Sequence, residues 1–253
     1  KDFPREEEDV EMDILSMSQV EVIGFSLHIV MPIFMSVLLL ERESGLRGFM
    51  AQMGLYEGSY WCSTYVFQMI MSICAGLVLY VAGFAAGLRL FTENTPWPYL
   101  LALVAWSHNV IAMSWFLASL FRSEKVGTFM GWFCMIMFNE TSAFLIILYE
   151  TDPDIPHTLE RFPSMSLMGV LEVLASASQQ GMDGTGLRGI ETDYWEHVMW
   201  MLITSVPMMF FGILLDKRGD ALMRATMLGL GRITGVGRRH AAERREAEEK
   251  AKQ

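Results

Sequence analysis

The chain has 253 residues, 52% of them hydrophobic and 19% charged, with a formal net charge of −10. Soluble globular domains carry about 25% charged residues, so a mean hydropathy of +0.31 excludes an ordinary soluble domain and points to a membrane protein. The net charge averages an acidic face with a basic one, and no nucleic-acid partner is inferred from it.

Apolar residues arrive in blocks of about 20 or more, the length that crosses a hydrocarbon core of about 30 Å as a helix. Five spans are predicted, at about 20–40, 60–88, 97–121, 126–149 and 195–215. The fold class is therefore all-α, a polytopic helical membrane bundle with five transmembrane helices, a cytoplasmic amphipathic helix and an external helical hairpin. Aromatic residues stand at the span ends (Tyr60, Trp61, Trp97, Tyr99, Tyr149, Tyr194, Trp195), where rings prefer the headgroup level. The chain opens on Lys1 with no charged n-region and h-region ahead of the first span, and is expected to be part of a longer polypeptide or a processed product.

Residues 1–19 form an acidic segment containing Glu6, Glu7, Glu8 and Asp9. Of the 19 Lys and Arg residues, 14 fall in the first loop, the third loop and the tail after Leu215. Cytoplasmic loops hold the excess of these residues. An integral, multi-pass protein is expected, with its N-terminus external or lumenal and its C-terminus cytoplasmic.

The first loop, about 42–57, is charged and amphipathic. Leu46, Phe49, Met50 and Met53 fall at helical spacing and make one apolar stripe, while Glu43, Arg47 and Glu57 are left for polar contacts. Within the spans, Cys62, Cys74 and Cys134 are predicted to be small buried residues rather than disulfide partners. Pro32 and Pro207 are candidate bend points. Gly83 with Gly87, and Gly127 with Gly131, allow close helix approach.

His28, His108 and His197 share no i, i+4 face, so they are read as hydrogen-bonded helix residues and not as metal ligands. Glu140, beside Asn139, is the one carboxylate deep in a span, where an ionisable group costs at least about 2.5 kcal/mol. Either the pair lines a substrate path, or Glu140 is protonated or bonded to a neighbouring helix.

Between the fourth and fifth spans an irregular stretch with Pro153, Pro156 and Pro163 leads into about 15 residues of helical apolar spacing. That stretch is too short to cross the bilayer. A helix capped by Ser164, returning through Gly181, Gly184, Gly186 and Gly189, is predicted as an external hairpin at about 160–192. Residues 216–253 read as a charged linker or tail. Its glycines Gly229, Gly231, Gly235 and Gly237 lack a GKS or GKT ending and are not a phosphate loop. No catalytic constellation and no metal-ligand spacing is found.

The first loop carries one further pattern: Glu41-Arg42-Glu43, an amphipathic segment through Met50, then Met53-Gly54-Leu55 and Tyr60-Trp61. It resembles the signature that follows the second transmembrane helix in the A subfamily of ABC transporters, lipid-moving exporters of type V architecture with an ABC-2-like membrane domain. Ser119-Leu120-Phe121, Glu124-Lys125 and Phe162-Pro163-Ser164 agree in order, so the resemblance covers roughly 20–220. The exit at Leu214-Leu215-Asp216-Lys217 departs from the aromatic-rich exit of the family.

The resemblance implies that the five spans are the second to sixth helices of a six-helix half. A first helix and external domain would precede them, and an ATP-binding domain would follow. It implies that Glu41, Arg42, Glu43, Leu46, Phe49, Met50, Met53, Gly54 and Leu55 form the coupling helix and its anchor, resting on a nucleotide-binding ATPase domain. ATP and Mg would be bound by that partner, with no cofactor in this chain. The other implied partners are a second transmembrane half and membrane lipids. The expected function is the membrane-spanning part of an ATP-driven transporter of lipid or another amphipathic substrate. The alternative is a non-transporting transmembrane scaffold derived from such a domain.

Overall fold

A computed structural model describes residues 19–151, 161–179 and 192–233. The predicted N-terminal acidic segment, the glycine-rich return and the far tail fall outside these residues, apart from position 19 at the edge of the first. All regular structure among the described residues is helical, and the protein is an all-α helical membrane bundle. In chain order the helices are α1 (Gln19–Glu43), α2 (Leu46–Gln52), α3 (Glu57–Ala85), α4 (Arg89–Thr92), α5 (Pro96–Leu120), α6 (Glu124–Thr151), α7 (Pro163–Gln179) and α8 (Thr192–Ile233).

Among the described residues four helices are long and apolar enough to cross a membrane: α1, α3, α5 and the part of α8 from Asp193 to Arg218. The stretch predicted as the fourth of five spans is a continuous 28-residue helix, α6. In α1 the helical hydrogen bonding lapses at Ile29, where Pro32 supplies no N–H to the His28 carbonyl one turn before it. Ile29 keeps helical angles of φ −54° and ψ −31°, so α1 continues. Pro207 lies inside an unbroken α8.

The centre of the bundle is α5. Thr95 is extended and Pro96 opens the helix, where a missing N–H costs nothing. The helix is apolar round its circumference, which suits a rod surrounded by protein. Trp106, Val110, Ile111 and Ala112 are all fully buried. Its polar atoms bond outward to neighbouring helices. Trp106 Nε1 donates to the Leu27 carbonyl at 3.3 Å, and Asn109 Nδ2 to the Met201 carbonyl at 2.7 Å. Trp115 Nε1 donates to Gln68 Oε1 at 2.7 Å, and Tyr99 OH to the Gly76 carbonyl at 3.0 Å. Such interhelical bonds matter where lipid offers no alternative partner.

Small residues set the closest approaches. A Cβ at Gly212 of α8 would lie 2.9 Å from the backbone of Trp115 and Phe116, so α5 and α8 meet almost backbone to backbone. A Cβ at Gly131 would lie 3.2 Å from Pro32 Cα, and one at Gly127 would overlap Leu39, so the predicted pair on α6 is the seam with α1. The other predicted pair is not a helix seam. Gly83 faces the Phe91 ring, and Gly87 lies in the turn that ends α3, with the Leu88 N–H reaching the Gly83 carbonyl at 3.0 Å.

Two further expectations are corrected. Cys62 and Cys74 are exposed, and Cys134 is half-buried; all three are free. The reason is that α3 gives the bundle one narrow face and turns Val66, Phe67, Ile70, Val78, Val81 and Phe84 outward. Ser164 does not cap α7, which begins at Pro163. Residues 163–171 of α7 are buried without a break, packed among α1, α5, α6 and α8.

Candidate functional site

At the end of the bundle where α1 gives way to α2, the predicted charged residues converge. Gly45, at φ 70°, opens α2, and Gly54, at φ 92°, follows it; these left-handed positions suit glycine and reverse the chain on both sides of a seven-residue helix. The result holds α2 across the ends of the longer helices.

Arg42 is the centre of the junction. Its Nη1 donates to the Phe121 carbonyl at 2.8 Å and the Ala118 carbonyl at 3.2 Å, closing the C-terminal end of α5, where free carbonyls and the helix dipole favour a cation. Its Nη2 donates to Asp216 Oδ1. Arg47, on α2, donates to the other carboxylate oxygen of Asp216. The guanidinium of Arg47 also lies 4.6 Å from the Trp61 ring centre and 4.8 Å from that of Tyr60, within cation–π range. Asp216 is only 3% exposed. A carboxylate buried this far needs pairing, and two arginines on one loop supply it.

The two glutamates of the triplet have separate tasks. Glu41 Oε2 accepts from Tyr60 OH at 2.6 Å, joining the end of α1 to the start of α3. Glu43 Oε2 accepts from the Glu124 N–H at 2.6 Å, at the N-terminus of α6, where orphan amides and the dipole favour an anion. On the rim, Glu57 lies 3.7 Å from Arg47 Nη2 and 3.3 Å from Lys217 Nζ. The triplet and Arg47 together tie α1, α2, α3, α5, α6 and α8 into one end-plate.

The apolar stripe of α2 points away from this junction. Leu46, Phe49 and Met53 are exposed, as are Leu55 and Tyr56 beyond it, while Met50 turns partly into the core. The structure thus gathers Glu41, Arg42, Glu43 and Met50 against the bundle and leaves Leu46, Phe49, Met53 and Leu55 on its outer face. Sequence reasoning missed Asp216, Lys217 and the hydroxyl of Tyr60. The one available signal was the carboxylate that directly follows an apolar run and precedes two cations.

Asn139 and Glu140 are separated by the face of α6 they occupy. Asn139 is buried, with its amide close to Gly24 and neither polar atom hydrogen-bonded among the described residues. Glu140, about 100° further round the helix, is exposed. Beside Asn139, at the far end of the bundle, His28 Nε2 lies 2.8 Å from Ser164 Oγ, which in turn accepts from Ser142 Oγ at 3.0 Å. His28 Nδ1 lies 2.7 Å from the Gly24 carbonyl. His108 Nδ1 lies 2.8 Å from Tyr65 OH. Both histidines are hydrogen-bonded helix residues. The ring of His197 packs on Gly169.

Fold and junction together define a multi-pass membrane protein whose charged loop is built into the ends of its helices. No family model matches the chain. Its curated homologues are A-family ABC transporters. It is 25% identical over 214 residues to ABC transporter A family member 7 of Dictyostelium discoideum, which takes in 82% of this chain and 24% of that protein. It is 24% identical over 200 residues to ABC transporter A family member 7 of Arabidopsis thaliana, covering 78% and 21% of the two. Against ABC transporter A family member 8 of Arabidopsis thaliana it is 23% identical over 225 residues, covering 86% and 25%. The chain spans about a quarter of the length of the curated relatives it matches.

Proposed function

We propose that this chain is the membrane-spanning part of an ATP-driven ABC transporter that moves lipid or another amphipathic substrate. On this reading a nucleotide-binding ATPase domain rests on α2, and a second transmembrane half completes the substrate path. The charged end is cytoplasmic, the N-terminus is external or lumenal, and α6 counts as a span, the fourth of five in chain order. ATP and Mg belong to the ATPase domain.

The observation that carries this reading is the division of labour in the first loop. Arg42 and Arg47 and both glutamates of the triplet are engaged with the bundle, while the apolar residues of α2 are left free. A helix that merely floats on lipid needs the apolar stripe but not the lock beneath it. A lock is what a mechanical input requires, because displacement of α2 is then carried to every helix it is tied to.

The test uses the full-length protein in proteoliposomes. Phe49→Asp leaves the junction intact and places a charge in the surface offered to the ATPase. Assembly is expected to persist, with ATP-driven movement of a fluorescent phospholipid reduced at least about tenfold. An assembled protein that recruits no ATPase and moves no amphipathic substrate would instead make the chain a non-transporting scaffold. For the substrate path, the exposed carboxylate of Glu140 is assigned to the space between the halves, because lipid would not solvate it. Glu140→Gln is expected to lower transport with assembly unchanged. Unaltered transport would remove Glu140 from the path.

A further inference from the structure

From the geometry of the charged end we infer that Asp216 is the positioning residue through which the first loop grips the last long helix, so that α2 and α8 move as one body during turnover. This deepens the proposed coupling role and rests on it. Three observations converge. Asp216 is 3% exposed and lies on α8 at the edge of its apolar stretch. Its two carboxylate oxygens are divided between Arg42 at the end of α1 and Arg47 on α2. The same arginines are held from their other sides, Arg42 by the α5 carbonyls and Arg47 by the rings of Tyr60 and Trp61.

The grip has a rim and a lever. On the rim, Lys217 pairs with Glu57 at 3.3 Å, a second link between α8 and the α2–α3 corner. The lever is α8 itself, which runs unbroken from Thr192 to Ile233 and packs at Gly212 against the backbone of α5. Asp216 sits four residues beyond that contact, about one helical turn. A shift of α2 is therefore delivered to α8 within a turn of the place where α8 and α5 cannot slide apart independently. Glu41 and Glu43 join the loop to α3 and α6; among the described residues the buried ion pairs that join it to α8 are those of Asp216.

The test is made on the full-length transporter with Asp216→Asn, which keeps the shape and removes the charge, and with Asp216→Glu as the conservative rescue. For Asp216→Asn the expected result is basal ATP hydrolysis within about twofold of wild type and substrate transported per ATP down at least fivefold; Asp216→Glu is expected to recover at least half. Wild-type transport per ATP in Asp216→Asn would overturn the assignment. A second measurement stands even if Asp216→Asn fails to assemble. In a background with Cys62, Cys74 and Cys134 replaced by alanine, the pair Glu57→Cys and Lys217→Cys is oxidised to a disulfide. If loop and α8 move together, the cross-link forms in high yield and transport continues. A cross-link that forms but stops transport overturns the proposal, and so does a yield near background. The yield is read without transport, so a protein that moves no substrate would refute the parent reading while the link is still decided.

Discussion

Arg42 shows how much one side chain can organise. Its guanidinium spends two donors on the end of α5 and one on Asp216, a fork that a lysine ammonium cannot reproduce. Arg42→Lys is expected to keep the charge and lose the bidentate geometry, lowering the unfolding midpoint in detergent. Arg42→Ala leaves a buried carboxylate short of a partner, which costs roughly 3–5 kcal/mol for a buried pair. Tyr60→Phe removes one hydrogen bond to Glu41 and is expected to cost about 1 kcal/mol; chemical denaturation of the detergent-solubilised protein would check the ranking. If Arg42→Ala proves as mild as Tyr60→Phe, the carboxylate of Asp216 is not held by the loop. The triplet Glu41-Arg42-Glu43 was legible in the sequence as a unit because its residues are adjacent. Asp216 was not, since its partners lie 174 and 169 positions away and an acid between an apolar run and two cations has the local pattern of a solvated linker.

The elements were readable to the extent that their signal is local. Long apolar runs gave the helices, because only intrahelical hydrogen bonding satisfies the backbone in lipid. The stripe of α2 followed from the 3.6-residue period. What periodicity could not reveal was which neighbour each face would meet. The first half of α7 is an apolar run too short to cross the bilayer, and its spacing does not reveal that it is buried among α1, α5, α6 and α8. Ser164 looked like a cap and is instead a hydroxyl shared by His28, Ser142 and the Phe138 carbonyl. Adjacent residues Asn139 and Glu140 point about 100° apart round α6, and only the packing of its neighbours decides that one is buried and the other exposed. At the seams the glycines are decisive. Gly212→Leu must push α8 off the backbone of α5 and is expected to cost at least 1–3 kcal/mol through overpacking. Gly127→Ala meets side chains and no backbone, the flexible end of Leu39 first and Phe121 Cβ at 3.2 Å, and is expected to cost less. Thermal unfolding of both variants in one detergent orders them, and a milder Gly212→Leu would mean the α5–α8 contact is looser than its geometry.

At the scale of the molecule, polarity is sorted by height. One end holds the loop, the ion pairs and the free apolar face of α2; the other holds α7 and the buried cluster around His28 and Asn139. Side-chain bonds from α5 to α1, α3 and α8 run between them, so the centre is continuous with both. On the proposed function, ATPase motion enters at α2 and reaches the bundle through the triplet. The direct measurement is the number of substrate molecules moved per ATP by the full-length protein carrying Glu41→Ala and Glu43→Ala together. Hydrolysis that continues while transport per ATP falls at least about tenfold is the expected result. Hydrolysis that stays tied to substrate movement, at the wild-type ratio, would contradict it.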